Sequence, residues 1–407
     1  MSGYDLHQKL RTKTVRLLKK KDYAQAISVL HTGATDLLRQ KEQGSGCDLA
    51  VYLIDVYEQS EAPVNDETRG RLVEILDLTA QDFWRKKVVD AALKWSAKAS
   101  GQAGGDPTLR LSIAKLYARE GSFHIAEPHY LAGCIRDGSG AAGQPIDASI
   151  EDKTVPEALA ELEVNWLKQH AEAAATQEGE TREQAVFQRL EAGKFALRAV
   201  LPLLAQRALS ASQVFLSSFS QLATKQTSKL LIPIQPNPKP YTPQPALANI
   251  PSALPDLQIY VTSNPDLNFS QMALGLIAQG AGYKSSRRGA VPLELRNAWI
   301  SVVRQYQREA PELFEEEEYV GDALTIISSV YFDIAPPRNQ GNMLQDMMSS
   351  FFGGGGGQSK PATLALKQAG QPALPKVERQ QPVVAAAPTP AAVAAAPAAP
   401  LDEEELD

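Results

Sequence analysis

Cysteine is scarce in this 407-residue chain, and its two copies, Cys47 and Cys134, stand far apart with no CxxC or Cys/His spacing. That excludes a disulfide framework and a structural zinc site, and two buried free thiols are expected. Histidine is nearly as rare: His124 and His129, five apart, fall on different helical faces without a carboxylate at metal-ligand spacing. No stretch approaches the roughly 20 apolar residues that span a bilayer, and the opening MSGYDLHQKLRTK lacks the apolar core of a signal peptide. A soluble protein of the cytosol, without direct membrane insertion, is the expectation. The sequon at Asn268, Phe269 and Ser270 is then a chance match. GxxxxGK[ST], GxSxG, HExxH and GxGxxG after a strand are all missing, so no catalytic residue, cofactor or metal is assigned and the chain is read as a non-enzyme. An excess of one charge is missing too: 41 basic against 47 acidic residues, net −6, gives no global drive toward nucleic acid or anionic membranes.

What is present is an apolar fraction of 43%, enough for a sizeable core, arranged with helical spacing from Leu6 to about Leu222. Leu49, Leu53, Val56 and Tyr57 form one stripe, followed by Leu72, Ile75 and Leu76, then Val88, Ala92 and Trp95, then Leu109, Ile113 and Leu116. Between them lie Pro63 with Asn65 and Asp66, Gly101 to Pro107, and Gly121 with Ser122, whose stop and start chemistry favours antiparallel neighbours. A weak echo links Tyr23 with Ala26, Phe123 with Ala126, and Phe195 with Ala199, at multiples of a unit of roughly 33 to 36 residues. The expected fold is all-α: a right-handed α-solenoid of TPR-like helical pairs, with a small β-hairpin near the C-terminal end and a disordered tail. An irregular helical bundle is the alternative.

Composition divides the chain. Residues 1–136 read as N-terminal helical repeats, 137–156 as a Gly/Ala/Pro break, 157–335 as C-terminal helical repeats, and 336–407 as a tail closing on LDEEELD. Within the third part, 233–255 holds eight prolines and cannot continue a helix. The alternating Leu257, Ile259 and Val261 are the one clear strand candidate, with Leu230 to Ile234 as a possible pairing partner. Helices are expected again over Phe269 to Gln279, Leu293 to Arg308 and Val320 to Phe332. The tail carries one short amphipathic segment, 343–352, in which Met343, Leu344, Met347, Met348, Phe351 and Phe352 fall three and four apart just before a glycine run. Methionines beside aromatics suit a groove-binding segment that orders on a partner, and docking onto the chain's own C-terminal end is the alternative.

Charge is uneven locally. Within the first 41 residues nine basic side chains oppose only Asp5, Asp22 and Asp36, which suits an acidic protein surface as well as a solvated helix face. Glu315 to Glu318 read as a helix start, and Trp84, Trp95, Trp166 and Trp299 as core residues.

Four stretches, HQKLRTKTVRLLKKKDYAQAI, GSGCDLAVYLIDVYE with LVEILDL, NPDLNFSQMALGLIAQG, and LQDMMSSF, resemble the Golgi-to-ER traffic scaffold family of the guided entry of tail-anchored proteins pathway. They run in the family's order across most of residues 5 to 353. The resemblance implies a non-enzymatic scaffold for post-translational targeting of tail-anchored proteins to the ER. It would bridge a tail-anchored protein targeting ATPase at its N-terminal half and a ubiquitin-like protein with its co-chaperone at its C-terminal half. Carried onto matching stretches, the ATPase contact falls on Lys9, Lys13, Arg16 and Lys19, with Asp48 as the acidic residue that modulates hydrolysis. A simple N-cap is the other role read for Asp48. The ubiquitin-like partner would meet Ile259, Val261, Phe269 and Met272, with core packing as the other role read for Phe269 and Met272. The tail segment of Leu344, Met347, Met348 and Phe351 is a further recognition element. HQKLRT resembles the family's second helix, which implies a start after the first: either the start codon is misassigned, or Lys9, Lys13, Arg16 and Lys19 supply the basic anchor. Another α-solenoid scaffold, such as a coat or proteasome-lid subunit, is the competing reading.

Overall fold

The computed structural model describes residues 3–102, 104–135, 146, 149, 152–177, 184–286, 289–311 and 318–335. The tail, with its 343–352 segment, and most of the 137–156 break lie outside the described residues.

The amphipathic stripes fold as helices α1 (Gly3–Lys19), α2 (Tyr23–Arg39), α3 (Gln43–Gln59), α4 (Asp66–Leu78), α5 (Phe83–Ser100), α6 (Pro107–Arg119) and α7 (Phe123–Gly133). Their ends follow local chemistry. Asn65 and Thr68 exchange both bonds of a capping box, Asp82 accepts from the N–H groups of Trp84 and Arg85, and Asp106 caps α6 ahead of Pro107. At the other ends one turn recurs. The N–H of Asp22 donates to the Leu17 carbonyl and that of Lys21 to Leu18, with Lys21 left-handed at φ +59°. Glu42 and Lys41 repeat this on Leu37 and Leu38, as do Ala62 and Glu61 on Tyr57 and Glu58. This is the Schellman closure, built here on non-glycine residues.

Helices here pack on a sequence neighbour and on the next but one: α1 on α2 and α3, α2 on α3 and α4, α3 on α5, α4 on α5 and α6. Odd and even helices therefore form two layers, the arrangement of an α-solenoid, in which each unit buries its apolar stripe against its neighbours. The repeat unit differs from the one read in the sequence. Three successive 17-residue helices, each closed by a short turn, make a pair longer than 36 residues. Tyr23 opens α2 in the even layer, Phe123 opens α7 in the odd layer, and Phe195 lies mid-helix, so the echo marks helix starts at two sites and no repeat register.

The remaining helices are α8 (Thr154–Gln177), α9 (Gln184–Ala205), α10 (Leu209–Gln226), α11 (Pro265–Ser286), α12 (Leu293–Glu309) and α13 (Glu318–Phe332), of which α8, α9 and α11 are longer than any before them. Here α9 packs on α7, α8, α10, α11 and α13, and every residue from Phe195 to Ala205 is buried. Such a helix is apolar around its circumference because protein surrounds it on all sides. One hydrophobic cluster runs unbroken from Leu17 to Phe332.

The proline-rich segment and the strand candidate meet as expected in part. β1 (Lys239–Pro240) pairs antiparallel with β2 (Gln258–Ile259), and Leu231 bridges Thr262 beyond it. Prolines cannot donate, so the Asn237 side chain substitutes: its amide donates to the carbonyls of Ile232 and Val261 and its oxygen accepts from the Val261 N–H. The loop lies close on α11 because two positions there lack side chains: the Tyr241 ring occupies the space a Cβ at Gly275 would need, and the Pro251 carbonyl that at Gly282.

Candidate interaction surfaces

On α1 the buried positions His7, Thr14 and Leu17 face α2 and α3. The outer face carries Lys9, Lys13 and Arg16, spaced four and three apart and all exposed, with Lys19 and, in the turn that follows, Lys20 exposed beside them. None of Lys9, Lys13, Arg16 and Lys19 takes part in an ion pair among the described residues. Arg11, by contrast, turns inward and donates to Asp48 at 2.5 Å, while His7 Nε2 lies 2.7 Å from the same carboxylate oxygen.

Asp48 therefore belongs to the α1–α3 contact. It stands in the second turn of α3, whose N-cap position is Glu42, so the N-cap role does not hold. Burial pushes its carboxyl up, but the hydrogen bonds from His7 and Arg11 outweigh this and hold it below the usual carboxylate value. At 42% side-chain exposure it still reaches solvent beside the basic stripe.

At the C-terminal half, the four residues assigned to the ubiquitin-like partner separate. Ile259 is buried in the hairpin, Phe269 is buried and stacked on Tyr306 with ring centroids 3.9 Å apart, Val261 is half-buried and Met272 is exposed. Nearby, Leu216 and Ser217 of α10, Asp256 to Gln258, and Gln271 with Leu274 of α11 line a shallow cleft. Leu344, Met347, Met348 and Phe351 fall outside the described residues.

Sequence reasoning missed the most buried polar cluster. Arg198 of α9 donates to Glu127 of α7 at 2.6 Å and lies 3.7 Å from Glu163 of α8, under the Trp166 ring at 4.0 Å. Burial raises both carboxyls, Glu163 well above its ordinary value, because one guanidinium cannot offset two desolvated carboxylates. No sequence spacing announces residues 71 positions apart. The tryptophans also divide: Trp95 and Trp299 are core, Trp166 is half-buried, and Trp84, read as core, is 37% exposed at the start of α5. Both cysteines are free and buried, with burial raising each thiol, Cys47 to about 12. Among the described residues, no group of three His, Cys, Asp or Glu could hold a metal ion, and no helix is long and apolar enough to cross a membrane.

Layered helices with a basic outer face at one end and a cleft beside a hairpin at the other define a class by fold, the α-solenoids. Comparison with known proteins narrows this. The family model for Golgi to ER traffic protein 4 matches residues 20–352. Golgi to ER traffic protein 4 of Aspergillus fumigatus is 27% identical over 85% of this chain and 84% of its own length, and that of Schizosaccharomyces pombe is 33% identical over 32% of this chain and 43% of its own. A crystal structure of C. therm. Get4 superposes with a TM-score of 0.59 at 29% identity, covering 88% of this chain and 91% of that one. The chain belongs to the Golgi to ER traffic protein 4 family.

Proposed function

We propose that this chain is a cytosolic, non-enzymatic adaptor for post-translational targeting of tail-anchored membrane proteins to the ER. It bridges a targeting ATPase and a ubiquitin-like protein with its co-chaperone, and promotes handover of cargo between them. The observation that carries this reading is the stripe of Lys9, Lys13 and Arg16, exposed and without acidic partners, on a terminal helix of a family member. Such a stripe steers an acidic protein surface and fixes its orientation. Asp48, held against His7 and Arg11 at the edge of that stripe, would act on the same partner. The second contact falls to Met272 and Val261 beside the cleft, with Ile259 and Phe269 supporting the hairpin and α11 from below.

The test is recovery of the targeting ATPase on the immobilised full chain in ATP. Lys13→Glu with Arg16→Glu should weaken capture by about tenfold or more, and added salt should do likewise, because exposed charges are screened. Capture that is unchanged by the double reversal and by salt would remove the α1 assignment. Met272→Glu should lower affinity for the ubiquitin-like partner while leaving ATPase capture intact.

A further inference from the structure

A second exposed feature lies at the other end of the odd-layer helices and belongs to neither contact above. Phe83 and Trp84 occupy the first turn of α5, 64% and 37% exposed, with ring centroids 5.6 Å apart in an edge-to-face pair. Single exposed aromatics are ordinary, but two adjacent large rings left in water are not. Nor are they loosely held. The Trp84 indole rests over Gly44 of α3, its ring atoms 3.5 Å from where a Cβ would stand, and Asp82 accepts from the Trp84 N–H at 2.8 Å. The Lys87 ammonium sits above both rings, 4.8 Å from Phe83 and 5.0 Å from Trp84, and Lys86 is exposed alongside. The shelf is thus aromatic and cationic, with the Trp84 ring already seated on α3, before anything binds.

Chemistry selects the occupant. Two lysines are too few to hold a phosphate backbone or an anionic bilayer, whose affinity grows with each cation engaged. They are enough for one or two carboxylates flanking a side chain that packs on the rings. We infer that the Phe83, Trp84 and Lys87 shelf docks a short acidic peptide segment of a partner protein through one large apolar side chain flanked by Asp or Glu. This stands apart from the α1 contact and does not depend on it.

The probe is a fluorescein-labelled synthetic nonapeptide of Asp and Glu around a central Phe, titrated with the full chain and followed by anisotropy. Saturable binding is expected, weakened about tenfold or more by Phe83→Ala, by Lys87→Glu and by replacing the peptide's Phe with Ser. Phe83 and Lys87 are exposed, so helical circular dichroism should be unchanged in both variants. Lys13→Glu with Arg16→Glu should leave peptide affinity as it was, which separates this site from α1. The inference is overturned by absence of saturable binding, by equal binding to the Phe83→Ala and Lys87→Glu variants, or by loss of binding only in the α1 double variant. It is also overturned if phosphatidylserine vesicles or an oligouridine RNA bind through Phe83 while the peptide does not.

Discussion

The two ends of the molecule use the same helices differently. In α1 to α6 each helix has an inner face and a wet one, and the layers are tied across their outer surfaces by exposed pairs such as Arg39 with Glu74 and Arg119 with Asp77. Around the Phe195 to Ala205 half of α9 there is no wet face, and the polar tie is the buried set of Arg198, Glu127 and Glu163. A stack leaves long surfaces free for partners, whereas a surrounded helix concentrates stability in one place. The difference teaches where each substitution should be felt.

The largest contrast is between two arginines. Arg198→Met leaves two desolvated carboxylates without their cation and should destabilise by about 3 to 5 kcal/mol, whereas Arg39→Met removes an exposed pair worth about 1 kcal/mol or less. Chemical denaturation of both variants reads this directly, and equal losses would erase the distinction between the two regions.

A second effect is smaller and carries a sign. Glu163 lies against Glu127 and Arg198, and Tyr319 of α13 also acts on Arg198. Burial raises the folded-state pKa of Glu163 well above the ordinary 4.5. Above that ordinary value the unfolded chain releases a proton that the folded one keeps, so this group's contribution is fully present below it and is lost as pH rises toward the folded value. Glu163→Gln has no proton to lose. Melting measured from about pH 5 to about pH 8 should show the wild type falling relative to the variant, and parallel profiles would mean the carboxyl is not held protonated.

How much of this was readable beforehand follows the same divide. Stripes such as Leu49, Leu53 and Val56, and the caps at Asn65 and Asp106, announce helices because an amphipathic helix writes its period and its ends into local sequence. The β2 strand was legible from alternation. Phe195 to Ala205 carries no period because every direction is interior, and the Phe195 echo was accordingly misplaced. Long-range pairs left no trace: nothing near Asp48 names His7, 41 residues away, as its partner. Exposure at a helix start was equally hidden, since Trp84 sits in an apolar pattern yet faces out over a glycine of another helix. The basic stripe was found because it needs only one helix, while Ile259 and Phe269, carried over from the family resemblance, proved to be covered by neighbours that sequence does not identify.

The smallest effect tests whether the stack and the surrounded helix unfold as one. Asn65 accepts from the Thr68 N–H at 2.9 Å and the Thr68 hydroxyl accepts from the Asn65 N–H at 3.0 Å, so Asn65→Ala strips one half of a capping box. Its cost should be about 0.5 to 2 kcal/mol. In a stack whose units touch only near neighbours, that loss stays local and is felt by the helices on either side. Hydrogen exchange should therefore quicken in α4 and in α2 and α6, which pack on it, while amides of α9 and α11 keep their protection. Were α9 to exchange faster by the same factor as α4, the unbroken core from Leu17 to Phe332 would be acting as a single cooperative unit, and the mechanical separation of the stack from the surrounded helix would have to be given up.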